Sequence, residues 1–393
     1  MISLISPSRN NLKYLKWSYA SVRKNAPLTV EYCVADDFSN DGTWEWCKEM
    51  MEVDPYFKAI RNEGPTRLGH TILYDTLINE VATQPIVGIW HADMYMTPRT
   101  VEKIVDTVRS KHIVSLTRIE PPLHPPGPEK VLMDFKTEPE DFPEEEFLKW
   151  YEEYQPGVEH KTTEGIFAPW FLLKEDFQAV GGHDPLYAPQ SKEDSDIFNR
   201  FLLAGYSFVQ VWDAAIYHMT CRGSRYNPTL TTPGKNSEEW EKQNARSTRN
   251  FIRKWGHFVK HDEFLKPIVP HKYDIGFVVS NISLQSMTLL EPWCSTLYSD
   301  DEMGVIEAEY YELEQPNTKF NLKSKLKVAK YSQPNNQIIV EFDAAKLDQA
   351  GFNIIVQLPE ILAESGEIGT FEVGIFKINI YALDTYEHEL INL

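Results

Sequence analysis

Over the first 115 or so residues, short apolar runs alternate with amphipathic stretches at helical spacing. Residues 2–5 form an apolar strand that stops at Ser6-Pro7-Ser8-Arg9-Asn10, and Leu12, Leu15, Tyr19 and Val22 then recur on one helical face. Residues 29–35 read as a second strand, after which the polar run Asp36-Asp37-Phe38-Ser39-Asn40-Asp41-Gly42-Thr43 turns the chain and caps a helix from Trp44. A third strand at 57–60 precedes Arg67-Leu68-Gly69 and a helix to about Val81. Residues 86–90 form the next strand, Pro98 opens a helix at its first turn, and 112–116 is a further strand. Strands alternating with helices of this length predict a mostly parallel sheet covered by helices on both faces.

The pattern fails between 118 and 162, where Pro121-Pro122-Leu123-His124-Pro125-Pro126-Gly127-Pro128 excludes regular structure and 138–153 is dense in acid, with one short helix near 144–154. A long excursion of this kind serves as a lid or binding loop, or is a solvated acidic insertion without a role. Regular structure resumes at 165–173. It continues through Val180-Gly181-Gly182-His183-Asp184-Pro185, a helix running from Glu193-Asp194 past Asp196 to Arg200, and strands at 206–212 and 215–218. Residues 237–256 form a helix on which Arg246, Arg249, Arg253 and Lys254 make a basic stripe. Pro267 and Pro270 mark a change of style. Beyond them, stretches at 275–281, 305–313, 320–328, 337–342, 353–358 and 371–383 read as strands, with helical segments only near Leu347 and Ile361. Two domains are predicted: an α/β domain over 1–262, containing the insertion and the basic helix, and a smaller, mainly β, sandwich-like accessory domain over 274–393.

Composition narrows the class of protein. A length of 393 residues agrees with two domains, and a formal charge of −19 argues against a general electrostatic grip on nucleic acid, leaving the basic helix as the feature that invites it. Cys33, Cys47, Cys221 and Cys294 show no CxxC pairing, which fits small buried thiols in a reducing compartment. Pro7 breaks the N-terminal apolar run too early for a signal peptide, and no apolar stretch approaches the ~20 residues of a membrane span, so a cytoplasmic protein is expected.

One stretch concentrates the chemistry. The apolar run Ile86-Val87-Gly88-Ile89-Trp90 ends abruptly in His91-Ala92-Asp93, where a buried strand would release its last side chains into the crevice beyond the sheet. Two residues apart, His91 and Asp93 point to the same side of extended chain and could hold a divalent metal on a phosphate-bearing ligand. The alternative is a polar strand end that caps the next helix.

Taken together and in order, these motifs resemble the family-2 glycosyltransferases of the GT-A fold over roughly residues 1–220. Ser6, Pro7 and Ser8 look like the loop that faces the nucleotide base, and Asp36-Asp37-Phe38-Ser39-Asn40-Asp41-Gly42-Thr43 is similar to the turn in which the second aspartate, here Asp37, contacts that base. His91-Ala92-Asp93 stands in the place of the Asp-x-Asp element, Gly181-Gly182-His183-Asp184 resembles Gly-Gly-Phe-Asp, Glu193-Asp194 resembles the Glu-Asp helix, and His218 stands where many members carry a late histidine on the metal. The chain departs from the pattern where His91 replaces the first aspartate and His183 the usual aromatic. No Gln-x-x-Arg-Trp follows, which speaks against processive synthesis.

The resemblance implies an inverting, metal-dependent, non-processive transferase that moves one sugar from a nucleoside-diphosphate sugar, UDP favoured over GDP, to a hydroxyl of a glycan or other acceptor. It implies Mn²⁺ or Mg²⁺ held by Asp93, His218 and His91, with His91 also able to bond the ribose or nearby backbone. Asp194, kept ionised at a helix start, is the implied base, against a plain N-capping role. Donor contacts are assigned to Ser6, Pro7, Ser8, Asp37, Ala92 and Asp93, with Arg67, Arg222 and Arg225 as phosphate clamps. Glu193 and Trp170 are assigned to the acceptor, although Trp170 fits a core position equally well. Other readings stay open: a nucleotidyltransferase, a carbohydrate-binding or assembly protein on a degenerate scaffold, or a transferase acting on modified DNA. The second domain could bind acceptor, oligomerise or anchor the protein.

Overall fold

Adjacent residues of each N-terminal strand point into two different cores. In a computed structural model that describes residues 1–220 and 236–391, Ile2 and Leu4 pack with Leu15 and Val22 on one side of the first strand, while Ile5 packs with Leu73 and Leu77 on the other. Tyr32 and Val34 likewise face the first core, and Cys33 and Ala35 the second. This alternation follows from the two-residue period of extended chain, and it accounts for strands that read as unbroken apolar runs. Arg222 and Arg225 lie outside the described residues.

The chain forms two units. The first comprises Met1–Gln243 and His261–Pro267, the second Asn244–Lys260 and Ile268–Ile391. In the first, β1 (Ile2–Ser8), α1 (Leu12–Asn25), β2 (Glu31–Asp37), α2 (Thr43–Val53), β3 (Phe57–Asn62), α3 (Gly69–Thr76), β4 (Ile86–Ile89), β5 (Met94–Tyr95), α4 (Thr100–Thr107) and β6 (His112–Glu120) follow in turn. They are succeeded by β7 (Lys130–Leu132), α5 (Glu144–Tyr154), β8 (Thr162–Thr163), β9 (Trp170–Leu173), α6 (Lys174–Ala179), α7 (Glu193–Leu203), β10 (Ser207–His218) and the start of α8 (Glu238–Trp255). The sheet runs β3-β2-β1-β4-β9-β6-β10-β5, with β7 and β8 attached to β6 and β10. The pairs β1–β2, β1–β4, β2–β3 and β6–β10 are parallel, whereas β9 and β5 run antiparallel to their neighbours.

Three local expectations change. Arg99 adopts a left-handed conformation (φ 66°) after Pro98, so α4 begins at Thr100 and the proline lies outside it. Residues 206–212 and 215–218 belong to one strand, β10, whose register against β6 shifts between Val211 and Ala215. The insertion is neither a free lid nor a solvated spacer among its described residues. Phe135, Phe147 and Tyr151 are buried against Tyr95, Ile119 and Tyr217, and Glu144 accepts hydrogen bonds from the Tyr95 hydroxyl (2.5 Å) and Lys24 (2.7 Å).

In the second unit the expected smaller sheet is present, built from β11 (Ile275–Ser280), β12 (Thr296–Ser299), β13 (Leu326–Val328), β14 (Ile338–Asp343), β15 (Gly369–Val373) and β16 (Phe376–Ile380). Its order is β13-β12-β11-β14-β16-β15, four parallel strands followed by an antiparallel hairpin. It is one sheet covered by helices, not a pair of stacked sheets. Residues 305–313 and 353–358, expected as strands, lie in the helices α10 (Val305–Glu314) and α12 (Gln349–Ser365), which follow α9 (Leu284–Leu290) in the chain together with the short α11 (Leu322–Lys325). In α12, Ile355, Leu358 and Leu362 are buried at helical spacing, Asp348 caps the start through the Gly351 N–H (2.8 Å), and left-handed Gly366 ends it.

Ile252, on the second half of α8, belongs to this unit's core. The basic stripe is internal to the unit. Arg249 donates two hydrogen bonds to Glu314 (2.8 and 2.7 Å), and Arg253 is buried between Glu291 (2.6 Å) and Glu314 (2.8 Å). These arginines are therefore matched by carboxylates and do not form a free phosphate-binding face. No helix among the described residues is long and apolar enough to cross a membrane.

Candidate active site

The site is assembled where β4 ends. Trp90 N–H donates to Ile5 O (3.0 Å) and its indole N–H to Ser18 Oγ (2.8 Å), so the apolar run is anchored up to its last residue. The next residues emerge from the sheet. The two-residue strand β5 then pairs with β10 so that His218 lies opposite Met94, and Met219 N–H donates to Asp93 O (3.0 Å). That pairing brings His218 Nε2 to 3.4 Å from Asp93 Oδ1, and the His91 and His218 ring centroids are 5.7 Å apart. One ligand atom from each of His91, Asp93 and His218 lies within 4.8 Å of the others, the one such group of three among the described residues.

The cluster combines one carboxylate with two imidazoles in different charge states. Burial, together with the neighbouring His218, pushes His91 down to about 3, so it presents a neutral imidazole. Burial would raise Asp93, but the adjacent His218 prevails and holds it below its ordinary value, hence ionised. His218 is opposed by burial, yet Asp93 and Glu120 raise it to about 9. Its Nδ1 lies 2.7 Å from Glu120 Oε1, which fixes the ring and turns Nε2 towards Asp93; at neutral pH the ring is an imidazolium, and Nε2 must release its proton before it can hold a cation. Glu120 is a functional candidate that sequence reasoning missed. Burial would raise it, but the His218 hydrogen bond, then the ion pairs with Arg118 (3.1 Å) and Lys130 (3.2 Å), hold it at about 2.

The other predicted residues divide into those with open chemistry and those already engaged. Ser6, Pro7 and Ser8 are buried at the carboxyl end of β1, and the Ser8 hydroxyl has no hydrogen-bond partner among the described residues. Asp37 accepts from Leu68 N–H (3.0 Å), Gly69 N–H (2.9 Å) and Asn62 Nδ2 (2.8 Å), which ties the end of β2 to the turn into α3. Arg67 is held there as well, 3.6 Å from Asp37 and bonded to Gln190 (2.9 Å). Ala92 is buried between the two candidate ligands. Trp170 cannot serve as a sugar-stacking wall: it is 0% exposed, stacked on Phe177 and edge-on to Phe198 and Phe201. Its place is the core.

The start of α7 supplies the acid–base groups. Glu193 is buried and Asp194 partly exposed, and burial raises both, Glu193 to about 8 with Asp194 beside it. Asp196 and Arg200 play a different part. Arg200, 0% exposed, donates Nε to Asp196 (2.9 Å) and its Nη atoms to the carbonyls of Val180 and Gly182, locking the Gly-Gly turn to α7. Tyr74 on α3 lies in the field of Asp194, Glu193 and Asp93 together; burial first, then these three, push it well above 10. The helix carboxylates and Asp93 of the candidate metal cluster thus act electrostatically on one buried side chain.

Residues 3–180 match the family model described as glycosyl transferase family 2. No curated protein matches the chain. Similar solved structures include GalNAc-T7 with UDP, GalNAc and Mn²⁺, at 14% identity, covering 65% of this chain and 48% of that one, with a TM-score of 0.46. The mannosyltransferase PcManGT from Pyrobaculum calidifontis, in complex with GDP-Man and Mn²⁺, is 18% identical, with coverages of 62% and 61% and a TM-score of 0.40. TarS from S. aureus is 13% identical, with coverages of 64% and 43% and a TM-score of 0.40. The chain spans less than two thirds of the length of each.

Proposed function

From the premise that residues 3–180 are a glycosyl transferase family 2 domain, we propose that this chain transfers a single sugar from a nucleoside-diphosphate sugar to a hydroxyl acceptor, with inversion and with the help of a divalent metal. The observation that carries the reading is the convergence of His91, Asp93 and His218 at the strand ends, with Tyr74 in the field of both Asp93 and the α7 carboxylates. The residues can hold the ion: a neutral imidazole, an ionised carboxylate and a second imidazole, protonated at neutral pH, whose Nε2 would give up its proton on binding while Glu120 holds the far nitrogen. Two nitrogen ligands favour Mn²⁺ over Mg²⁺. Bound there, the ion supplies Lewis-acid neutralisation of the diphosphate leaving group.

The chain's own residues do the rest. Ser6, Pro7 and Ser8 line the end of β1 on the base side, and Asp37 fixes the turn that carries Arg67 towards the phosphates. At α7, Glu193 keeps its proton near neutrality because it is the more buried of the two carboxylates, which leaves the negative charge on Asp194. Burial makes Asp194 a stronger base than an exposed aspartate, suited to taking the proton of an attacking hydroxyl. Attack from the face opposite the leaving group inverts the anomeric carbon. UDP is favoured over GDP as the carrier and a glycan as the acceptor. The segment 274–393 is an accessory domain for acceptor binding or self-association. The buried, free thiols of Cys33, Cys47 and Cys294 suit the cytoplasm.

Asp194→Asn tests the assignment of the base. Donor binding should persist while transfer falls about 10²–10⁴-fold. Turnover at the parent rate would remove Asp194 from that role.

A further inference from the structure

His183 is more constrained than a residue that merely fills space. Its side chain is completely buried, Nδ1 lies 2.7 Å from Asp75 Oδ1, and its backbone N–H donates to Asp75 Oδ2 (2.9 Å). The preceding Gly182 has φ +74°, and a Cβ there would collide with the same Asp75 oxygen, so glycine is what admits this carboxylate. Phe177 and Tyr74 wall the ring, with centroids 5.4 and 5.7 Å away. The remaining polar atom, Nε2, is buried and has no hydrogen-bond partner among the described residues. Glu193 Oε2 is in the same condition. Buried polar atoms are rarely left unmatched, and here the two are chemically complementary, since one bridging O–H group can serve a ring nitrogen and a carboxyl oxygen that do not bond each other directly.

We propose that His183 is a positioning residue for the carboxylate pair: anchored by Asp75, it turns Nε2 and a positive charge towards Glu193 and Asp194 at the start of α7. This rests on the reading of Asp194 as the base. Among the described residues, the charged and titratable groups that act on or wall His183 are Asp75, Tyr74 and His70 on α3 and Glu193 and Asp194 on α7, with Lys192 acting on Glu193. Burial opposes a charged ring, but Asp75, then Asp194 and Glu193, raise His183 above its ordinary value, and His183 in turn works against the upward shift of both carboxyls. The geometry accounts for the one departure from the Gly-Gly-Phe-Asp pattern in terms of charge: an aromatic ring could fill the space but could not offset a buried acid.

Histidine NMR titration of the full chain tests this without knowledge of the acceptor, with the His183 signal identified by its absence in His183→Phe, or in His183→Gln if the first variant does not fold. The expected result is a ring that titrates above ~6.5, moves down on Asp75→Asn, and moves down by about half a unit or more on Asp194→Asn, with a smaller shift on Glu193→Gln because Glu193 keeps its proton in that range. A ring that titrates at or below its ordinary value, or that both α7 variants leave unmoved, overturns the proposal. The underlying reading fails separately. Loss of transfer in Asp194→Asn with an unmoved His183 keeps the base and discards the positioning residue, whereas retained turnover with a moved His183 discards the base and keeps the charge coupling.

Discussion

Glu120 decides which nitrogen of His218 faces Asp93. With Nδ1 committed at 2.7 Å, only Nε2 is left to meet a cation, and Arg118 and Lys130 hold the carboxylate in place. Glu120→Gln should therefore weaken Mn²⁺ binding about 10–100-fold in a calorimetric titration while leaving the fold intact. An unchanged affinity would show that His218 is not a ligand. Trp170 makes the opposite point, that an aromatic residue near a site need not belong to it. Trp170→Ala should cost about 3–5 kcal/mol in urea unfolding, and a loss of well under 1 kcal/mol would contradict its place in the core. His91, Asp93 and Asp194 were legible in the sequence because short motifs mark them. Glu120 was not, since 98 residues separate it from His218 and the β6–β10 pairing alone brings them together.

At the scale of elements, buried ion pairs fasten the pieces that carry the site. Arg200 joins α7 to the Gly-Gly turn, so Arg200→Met would strand Asp196 and two carbonyls in the core. A destabilisation of about 3–5 kcal/mol is expected in denaturant unfolding, and a neutral substitution would remove the tether from the account. Glu31 does the same for the β1–β2–β3 edge. Burial would raise it, but Lys58, Ser3 and Thr83 lower it from 4.5 to about 2. A depressed carboxyl contributes stability above its unfolded value that is lost as pH falls through the folded one. Unfolding free energy should thus decline between about pH 4.5 and 2, and Glu31→Gln should flatten that decline by ~3 kcal/mol. An identical acid limb in the variant would contradict it. Elements were legible where their period was clean, as in β1 to β4. They were misread in α10 and α12, where Val, Ile and Phe occur in short runs that period alone does not assign to strand or helix. The signals that settle α12 are its ends, Asp348 and Gly366, eighteen positions apart. The two-residue β5 carries no periodicity at all, yet it sets His218 beside Asp93.

At the scale of the molecule, net charge is −19, and three arginines, Arg200, Arg249 and Arg253, are matched internally by carboxylates. Under the proposed function, a phosphate-bearing donor would meet a cation held at the end of β4 and β10. Ligand binding stabilises a fold by mass action, about 2.7 kcal/mol at a hundredfold excess over the dissociation constant. Thermal unfolding of the parent chain and of Asp93→Ala, each with a panel of UDP- and GDP-sugars in the presence and absence of Mn²⁺, therefore reads the central claim directly. The account predicts a rise in Tm for the parent chain that requires both nucleotide sugar and Mn²⁺ and that Asp93→Ala abolishes. The same rise without metal, or an undiminished rise in Asp93→Ala, would contradict it.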